Sequence, residues 1–155
     1  MAIDEYLSQF KEEISLDEYF TLEGIRFKKK KNFGPSDWVE LIKSQELKCY
    51  YCNTDLRLIQ QLIIAKVIMP RKRGNYGYSG LHFELDHKNF NVNDNSLSNL
   101  VASCYFCNND RSNLISDVIY KKYLGKAKGI AFQELFDSLN CELRRTIRHN
   151  LKGQN

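Results

Sequence analysis

Apolar residues recur at helical spacing in several stretches of the chain and alternate at strand spacing in one. Leu7, Phe10 and Ile14 fall on one face of a short helix predicted over residues 4–13. Residues 16–22 read as a second short piece. The segment 24–31, GIRFKKKK, is too basic and too short for core, and an arm or an edge strand is expected there. Phe33-Gly34-Pro35-Ser36 reads as a turn, with Ser36 capping a helix over residues 37–45 that turns Trp38, Leu41 and Ile42 inward. Residues 54–69 are rich in Leu and Ile, and a helix is expected in their first part, with Pro70 ending it. The run RKRGNYGYSG over residues 71–80 is expected as an exposed loop suited to a polyanion.

Leu81, Phe83 and Leu85 alternate with His82, Glu84 and Asp86, the pattern of a half-buried strand. A polar loop, KNFNVNDNSLS, follows, and residues 99–102 form a second strand or extended return. A helix is predicted from about Tyr105 to Asn113. Ser116 can cap another over residues 117–124, which the glycines at 125 and 129 are expected to break. Phe132, Leu135, Phe136, Leu139, Leu143 and Ile147 then mark a long amphipathic helix over residues 130–149.

The 155 residues are expected to form one compact unit. It divides into an N-terminal helical and basic arm (1–48), a core (49–124) and a C-terminal helix (125–155) that packs on the core or forms a dimer surface. A composition 43% hydrophobic and 27% charged is that of an ordinary globular protein. No apolar run approaches the ~18 residues of a membrane span, and MAIDEYLSQF has no signal-peptide pattern. A cytoplasmic location, in a bacterium or encoded by a phage, is the expectation, with no membrane partner. The net charge is +4, and its basic residues cluster at 26–31, 66–73 and 144–152. Arg71, Lys72, Arg73 and Tyr76 are candidate nucleic-acid contacts; a solvated face and a tyrosine that packs its loop are the alternatives.

Five cysteines make an odd number for a disulfide framework, but four fall into two CxxC pairs, Cys49/Cys52 and Cys104/Cys107. Two such turns can supply the four sulfurs of a closed, structural zinc site that lends folding energy and does no chemistry itself. A redox CxxC is usually single and set in a β–α context. Cys141, on the predicted C-terminal helix, is expected to be a buried apolar residue.

Between the pairs lies the dipeptide Asp86-His87, at the end of the alternating strand. Neighbours on a strand face opposite ways, so these two share a centre only if the backbone bends there. A bend would let the carboxylate bind a hard cation while the imidazole faces a water. The alternative is a strand end with a surface histidine. Glu84 can support the cation from a distance or be the wet face of the strand. His82 reads as a surface histidine.

Taken together, Glu84-Leu85-Asp86-His87, Ser98-Asn99-Leu100, Cys104-Tyr105-Phe106-Cys107-Asn108 and Arg111-Ser112-Asn113 resemble the HNH, or ββα-metal, nucleases, in their four-cysteine zinc-bearing branch. The resemblance covers residues 49–113. It implies an α+β fold with a ββα-metal core and a four-cysteine zinc site, flanked by N- and C-terminal helices. It implies His87 as the general base for water, and Asp86 and Asn108 as ligands of a catalytic Mg²⁺ or Mn²⁺. Asn99 would hold the histidine-bearing loop by hydrogen bonds. Arg111, where relatives often have Lys, would clamp a phosphate. The expected activity is hydrolysis of DNA phosphodiesters, by a restriction-type or mobile-element enzyme acting as a homodimer. A zinc-stabilised DNA-binding module without nuclease activity and an RNA-cutting toxin are the alternatives.

Overall fold

The computed structural model describes residues 2–8, 14–72 and 77–139. Its core begins with the cap of the second helix. After α1 (Ile3–Ser8), the Ser15 hydroxyl accepts from the Glu18 N–H while the Glu18 carboxylate accepts from the Ser15 N–H. This reciprocal cap satisfies two otherwise orphaned donors and starts α2 (Leu16–Arg26), which runs past the expected end at residue 22. The segment GIRFKKKK is therefore not one arm. Its first three residues finish α2, and Phe27 stacks on Trp38 with ring centroids 5.0 Å apart. Only the lysines are left as an arm, closed by a bridge between Lys30 and Phe33.

The next helix, α3 (Pro35–Ser44), starts earlier than Ser36 allows as a cap. Pro35 fits a first turn because it lacks the N–H that would go unsatisfied there. The Gly34 N–H donates to Asp37 instead. Trp38 and Ile42 are buried as expected. Asp55 caps α4 (Leu56–Ile64), which ends at Ala65 with Lys66 in a left-handed conformation, before Pro70 is reached. The expected loop at 71–80 contains a small antiparallel pair, β1 (Arg71–Lys72) and β2 (Tyr78–Ser79). Arg73 and Tyr76 lie outside the described residues.

A second antiparallel pair is the centre of the molecule: β3 (Phe83–His87) and β4 (Leu100–Cys104), in register from Phe83 opposite Cys104 to His87 opposite Leu100. Helix α5 (Tyr105–Arg111) follows β4 without a linker and packs on both strands. All five residues of β4 are buried. Its outer edge is covered, since the Gln45 amide donates to the Ala102 carbonyl and accepts from its N–H, and the Tyr50 N–H donates to the same carbonyl. An edge paired in this way cannot recruit another strand.

The C-terminal part differs from the expectation. There is no break at the glycines: α6 (Asp117–Ile119), a π-helical stretch Tyr120–Gly125 and α7 (Lys126–Asp137) run on as one rod. The glycines permit close approach. A Cβ on Gly125 would lie 2.5 Å from the Tyr51 carbonyl oxygen, and one on Gly129 would lie 2.2 Å from that of Cys52. The rod thus rests its glycine face on the first cysteine turn. The rest of the predicted helix, Cys141 and the basic cluster at 144–152 lie outside the described residues.

The chain is a mixed α and β protein in which two small sheets and a buried four-cysteine cluster are flanked by helices on both sides in sequence. Buried residues from Leu7 to Phe136 belong to one hydrophobic cluster. Among the described residues, no helix is long and apolar enough to cross a membrane.

Candidate functional site

The two CxxC turns meet. The sulfurs of Cys49, Cys52, Cys104 and Cys107 lie within 4.8 Å of one another, and all four residues are buried. The sulfurs of Cys52 and Cys104 are 4.0 Å apart. A tetrahedral ion with Zn–S bonds of ~2.3 Å sets sulfurs about 3.8 Å apart, so the cluster has the size and donor type to hold zinc. Backbone N–H groups already point at the sulfurs, that of Cys104 at Cys49 (3.3 Å) and that of Cys107 at Cys104 (3.4 Å). Burial opposes charge on these thiols. Hydrogen bonds from the other three nevertheless hold Cys49 well below the usual thiol range, while burial pushes Cys104 up.

From this clamp the structure reaches directly to Asp86. Tyr51, inside the first CxxC turn, donates its hydroxyl to Asp86 Oδ2 at 2.5 Å. Burial and the bond to Asp86 raise the Tyr51 pKa, so the phenol stays a donor. The same oxygen accepts from Arg111 at 2.6 Å. Arg111 is fully buried, with further bonds to the carbonyls of His87 and Lys88 and ring faces of Tyr51 and Phe90 against its guanidinium. The expectation that Arg111 clamps a phosphate is therefore corrected. A guanidinium with no exposed surface, its two terminal nitrogens bonded to a carboxylate and two carbonyls, ties the helix to the strand end.

Asn108 and Asp86 share the side of the hairpin that α5 covers, but they do not touch a common partner. The Asn108 amide donates to Glu84 at 2.7 Å. Glu84 precedes Asp86 by one side-chain repeat of the strand, about 7 Å. Asp86 Oδ1 and Asn108 Oδ1 carry no hydrogen bond among the described residues. Both are hard oxygen donors of the kind magnesium takes, and Mg²⁺ needs only one or two protein ligands when phosphate and water supply the rest.

His87 points the other way. The ladder continues through His87 opposite Leu100, so the bend that would put Asp86 and His87 on one face does not occur. The two residues flank the end of the strand from opposite sides. The His87 Nε2 is 2.9 Å from Asn95 Oδ1, and the Asn95 Nδ2 donates to the Lys31 carbonyl. A carbonyl can only accept, which fixes the amide's orientation and makes Nε2 a nitrogen that carries a proton. Nδ1 is then the basic nitrogen. Asn99 pins the loop after His87: its Oδ1 accepts from the Asn89 N–H, its Nδ2 donates to the Asp94 carbonyl, and its own carbonyl accepts from the Lys88 N–H.

No family model matches the chain, and no curated protein or solved structure matches it either.

Arg71 and Lys72 are exposed on β1, and Lys66 pairs with Asp4. Reading the sequence singled out neither Tyr51 nor Asn95. Both act over a fold-dependent distance, and neither has a neighbouring residue that announces the role. The pair of buried Glu23 and half-buried His82, 2.5 Å apart, was also missed as a pair, because 59 positions separate the partners. His82 is half-buried against α2 rather than a surface residue.

Proposed function

We propose that the protein is a divalent-metal-dependent endonuclease of the HNH type, hydrolysing DNA phosphodiesters with zinc in its cysteine cluster. One observation carries the reading. A hairpin and its following helix, clamped by four converging thiols, present an imidazole and a hard carboxylate on either side of one strand end, beside a loop pinned by Asn99.

The chemistry follows from the residues. His87, with its proton held on Nε2 by Asn95, can take a proton from water at Nδ1. An imidazole suits this at neutral pH. Asp86 and Asn108 would hold Mg²⁺ or Mn²⁺, with the Asn108 amide leaving Glu84 to do so. The cation, when bound, neutralises charge on the phosphoryl and leaving oxygens. Tyr51 and Arg111 orient Asp86, so both belong to the positioning of the site. Restriction or mobile-element biology, and a homodimer that cuts both strands, are part of the same proposal.

The test is plasmid nicking by the purified protein with Mg²⁺, with Mn²⁺ and with EDTA. Cleavage should need the cation, and His87→Ala should lower the rate by about 10²–10⁴-fold without changing the melting temperature. Cleavage by His87→Ala at the wild-type rate would remove His87 from the mechanism. Binding of DNA without cleavage under any cation would favour the inactive DNA-binding module, and cleavage of RNA alone the toxin.

A further inference from the structure

The face of β3 that carries His87 does not meet α5. It opens into a cleft of about 550 Å³ shared with the C-terminal end of α2 and the lysine arm. We propose that this cleft seats the backbone of a DNA strand beside His87, with Lys28 and Lys30 as the cations that hold the phosphates flanking the attacked one. The proposal deepens the nuclease reading in naming where the substrate strand runs, and it rests on that reading only for the role of His87.

The geometry selects among the lysines. The chain leaves α2 extended at Phe27, and in an extended segment alternate side chains share a side. Lys28 and Lys30 line the cleft, and Lys29 and Lys31 do not. Both cleft lysines are exposed, and neither ammonium group has a partner among the described residues. The other charges facing the cleft are Arg26 and Glu23, and they pair with each other at 3.1 Å. Two cations are left over in a concavity, the arrangement that concentrates a polyanion.

The arm is also fixed relative to the imidazole. Asn95 accepts from His87 Nε2 and donates to the Lys31 carbonyl, so two hydrogen bonds connect the lysine run to His87. The Lys30–Phe33 bridge closes the turn, and Phe27 anchors its start on Trp38. A lysine run that only kept the protein in solution would need no such ties. Arg26 and the two lysines form one wall, while His82, Leu85 and His87 form the other. A strand lying between them would pass its phosphates beside His87.

The experiment measures binding apart from catalysis. Anisotropy of a fluorescein-labelled single-stranded oligothymidylate is followed in EDTA across a salt series. The proteins are the wild type, Lys28→Glu/Lys30→Glu, and a charge-matched control outside the cleft, Lys122→Glu/Lys126→Glu. The cleft double variant should bind about tenfold or more weakly, and its slope of log K against log salt should be shallower by about 1.4, or 0.7 per lost single-strand contact. The control should change affinity by less than about threefold, and all three should melt alike. No binding by the wild type, or affinity within about twofold of it in the cleft double variant, overturns the proposal. A plasmid-nicking assay with Mg²⁺ in parallel separates the two readings. Loss of binding in the cleft variant without cleavage by any of the three proteins supports the cleft and ends the nuclease reading. Undiminished binding and cleavage in the cleft variant do the reverse.

Discussion

Replacing Gly129 with alanine should destabilise this protein, against the ordinary preference of a helix for alanine. At an unencumbered helical position the change is worth about 1 kcal/mol in favour of alanine. At Gly129 the new methyl would lie 2.2 Å from the Cys52 carbonyl oxygen, where real Cβ atoms essentially never come within 3.0 Å. Either α7 withdraws by roughly 0.8 Å or the first cysteine turn gives way. Neither is soft. The oxygen is a backbone atom of a residue whose sulfur sits in the four-thiol cluster, and Phe132 and Phe136 bury α7 in the core. Overfilling a packed interior costs about 1–3 kcal/mol, and a clash with backbone belongs at the upper end. After the helix preference is subtracted, a net loss of about 1–2 kcal/mol is expected. Gly125→Ala, 2.5 Å from the Tyr51 oxygen, should act in the same direction. Because both glycines lie on one face of the rod, one withdrawal relieves both clashes, and the double variant should cost less than the sum. Gly24→Ala, inside α2, is the control: its Cβ would meet only a side-chain methyl of Val39, at 3.2 Å, so the helix preference of up to about 1 kcal/mol is kept and the variant should be no less stable than the wild type. Urea unfolding followed by the fluorescence of Trp38, the single tryptophan, reads the midpoints. Zinc release, followed with a colorimetric chelator, reads the cluster. A Gly129→Ala protein as stable as the wild type, with the same slope, refutes the argument from close approach.

Three further outcomes are expected. Cys104→Ser, or prolonged chelation, should remove zinc together with the cooperative melt; a protein that melts cooperatively with no zinc by elemental analysis would contradict the clamp. Arg111→Met should cost about 3–5 kcal/mol, because it strands the Asp86 carboxylate, and Asp86→Asn on that background should recover part of the loss; a neutral single variant would show that the pair is not structural. Stability should also fall on acidification. Burial lowers the His82 pKa below 6.5, so the unfolded chain takes up more protons than the fold once pH drops through that value. The His82 contribution is complete above pH 6.5 and is lost below it towards the folded pKa. Burial alone would raise Glu23, but the bond to His82 and the charge of Arg26 outweigh it. Its contribution is present above 4.5 and lost as pH falls through its lowered value. Melting temperatures between about pH 7 and pH 5 should therefore fall less steeply in His82→Gln than in the wild type; parallel curves would show that His82 is not the group responsible.

What could be read in the sequence was local or periodic. The alternation at 81–86, the immediate helix after Cys104 and the apolar face of α4 all follow from spacing between near neighbours. The four cysteines were legible for a different reason: paired thiols at short spacing have few uses. The errors came where a long-range contact changed what a residue was for. Gly125 and Gly129 carry the ordinary mark of a helix break, and only the carbonyls of Tyr51 and Cys52, more than seventy positions upstream, turn them into a packing surface. Arg111 looks like a surface cation until the carboxylate of Asp86 and two carbonyls are seen around it. Ser36 lost the cap because Pro35 can begin a helix one residue sooner.

The position of Arg111 bears on how a metal-dependent site can exist at Asp86. A buried guanidinium 2.6 Å from the carboxylate already balances its charge, and a divalent cation must compete with it. The competition is confined to one oxygen, since Tyr51 and Arg111 both bind Oδ2 and leave Oδ1 without a hydrogen bond among the described residues. A cation at Oδ1 would feel the carboxylate at full contact and the guanidinium at one remove, so the pair weakens metal binding without forbidding it. The remaining negative charge would have to come from a phosphate. Affinity for Mg²⁺ in the free protein should then be low, and it should rise when DNA is bound. Titration of Mg²⁺ into His87→Ala, alone and with a duplex, measures the difference, and equal affinity in the two would mean that Asp86 and Asn108 hold the cation without help from the substrate.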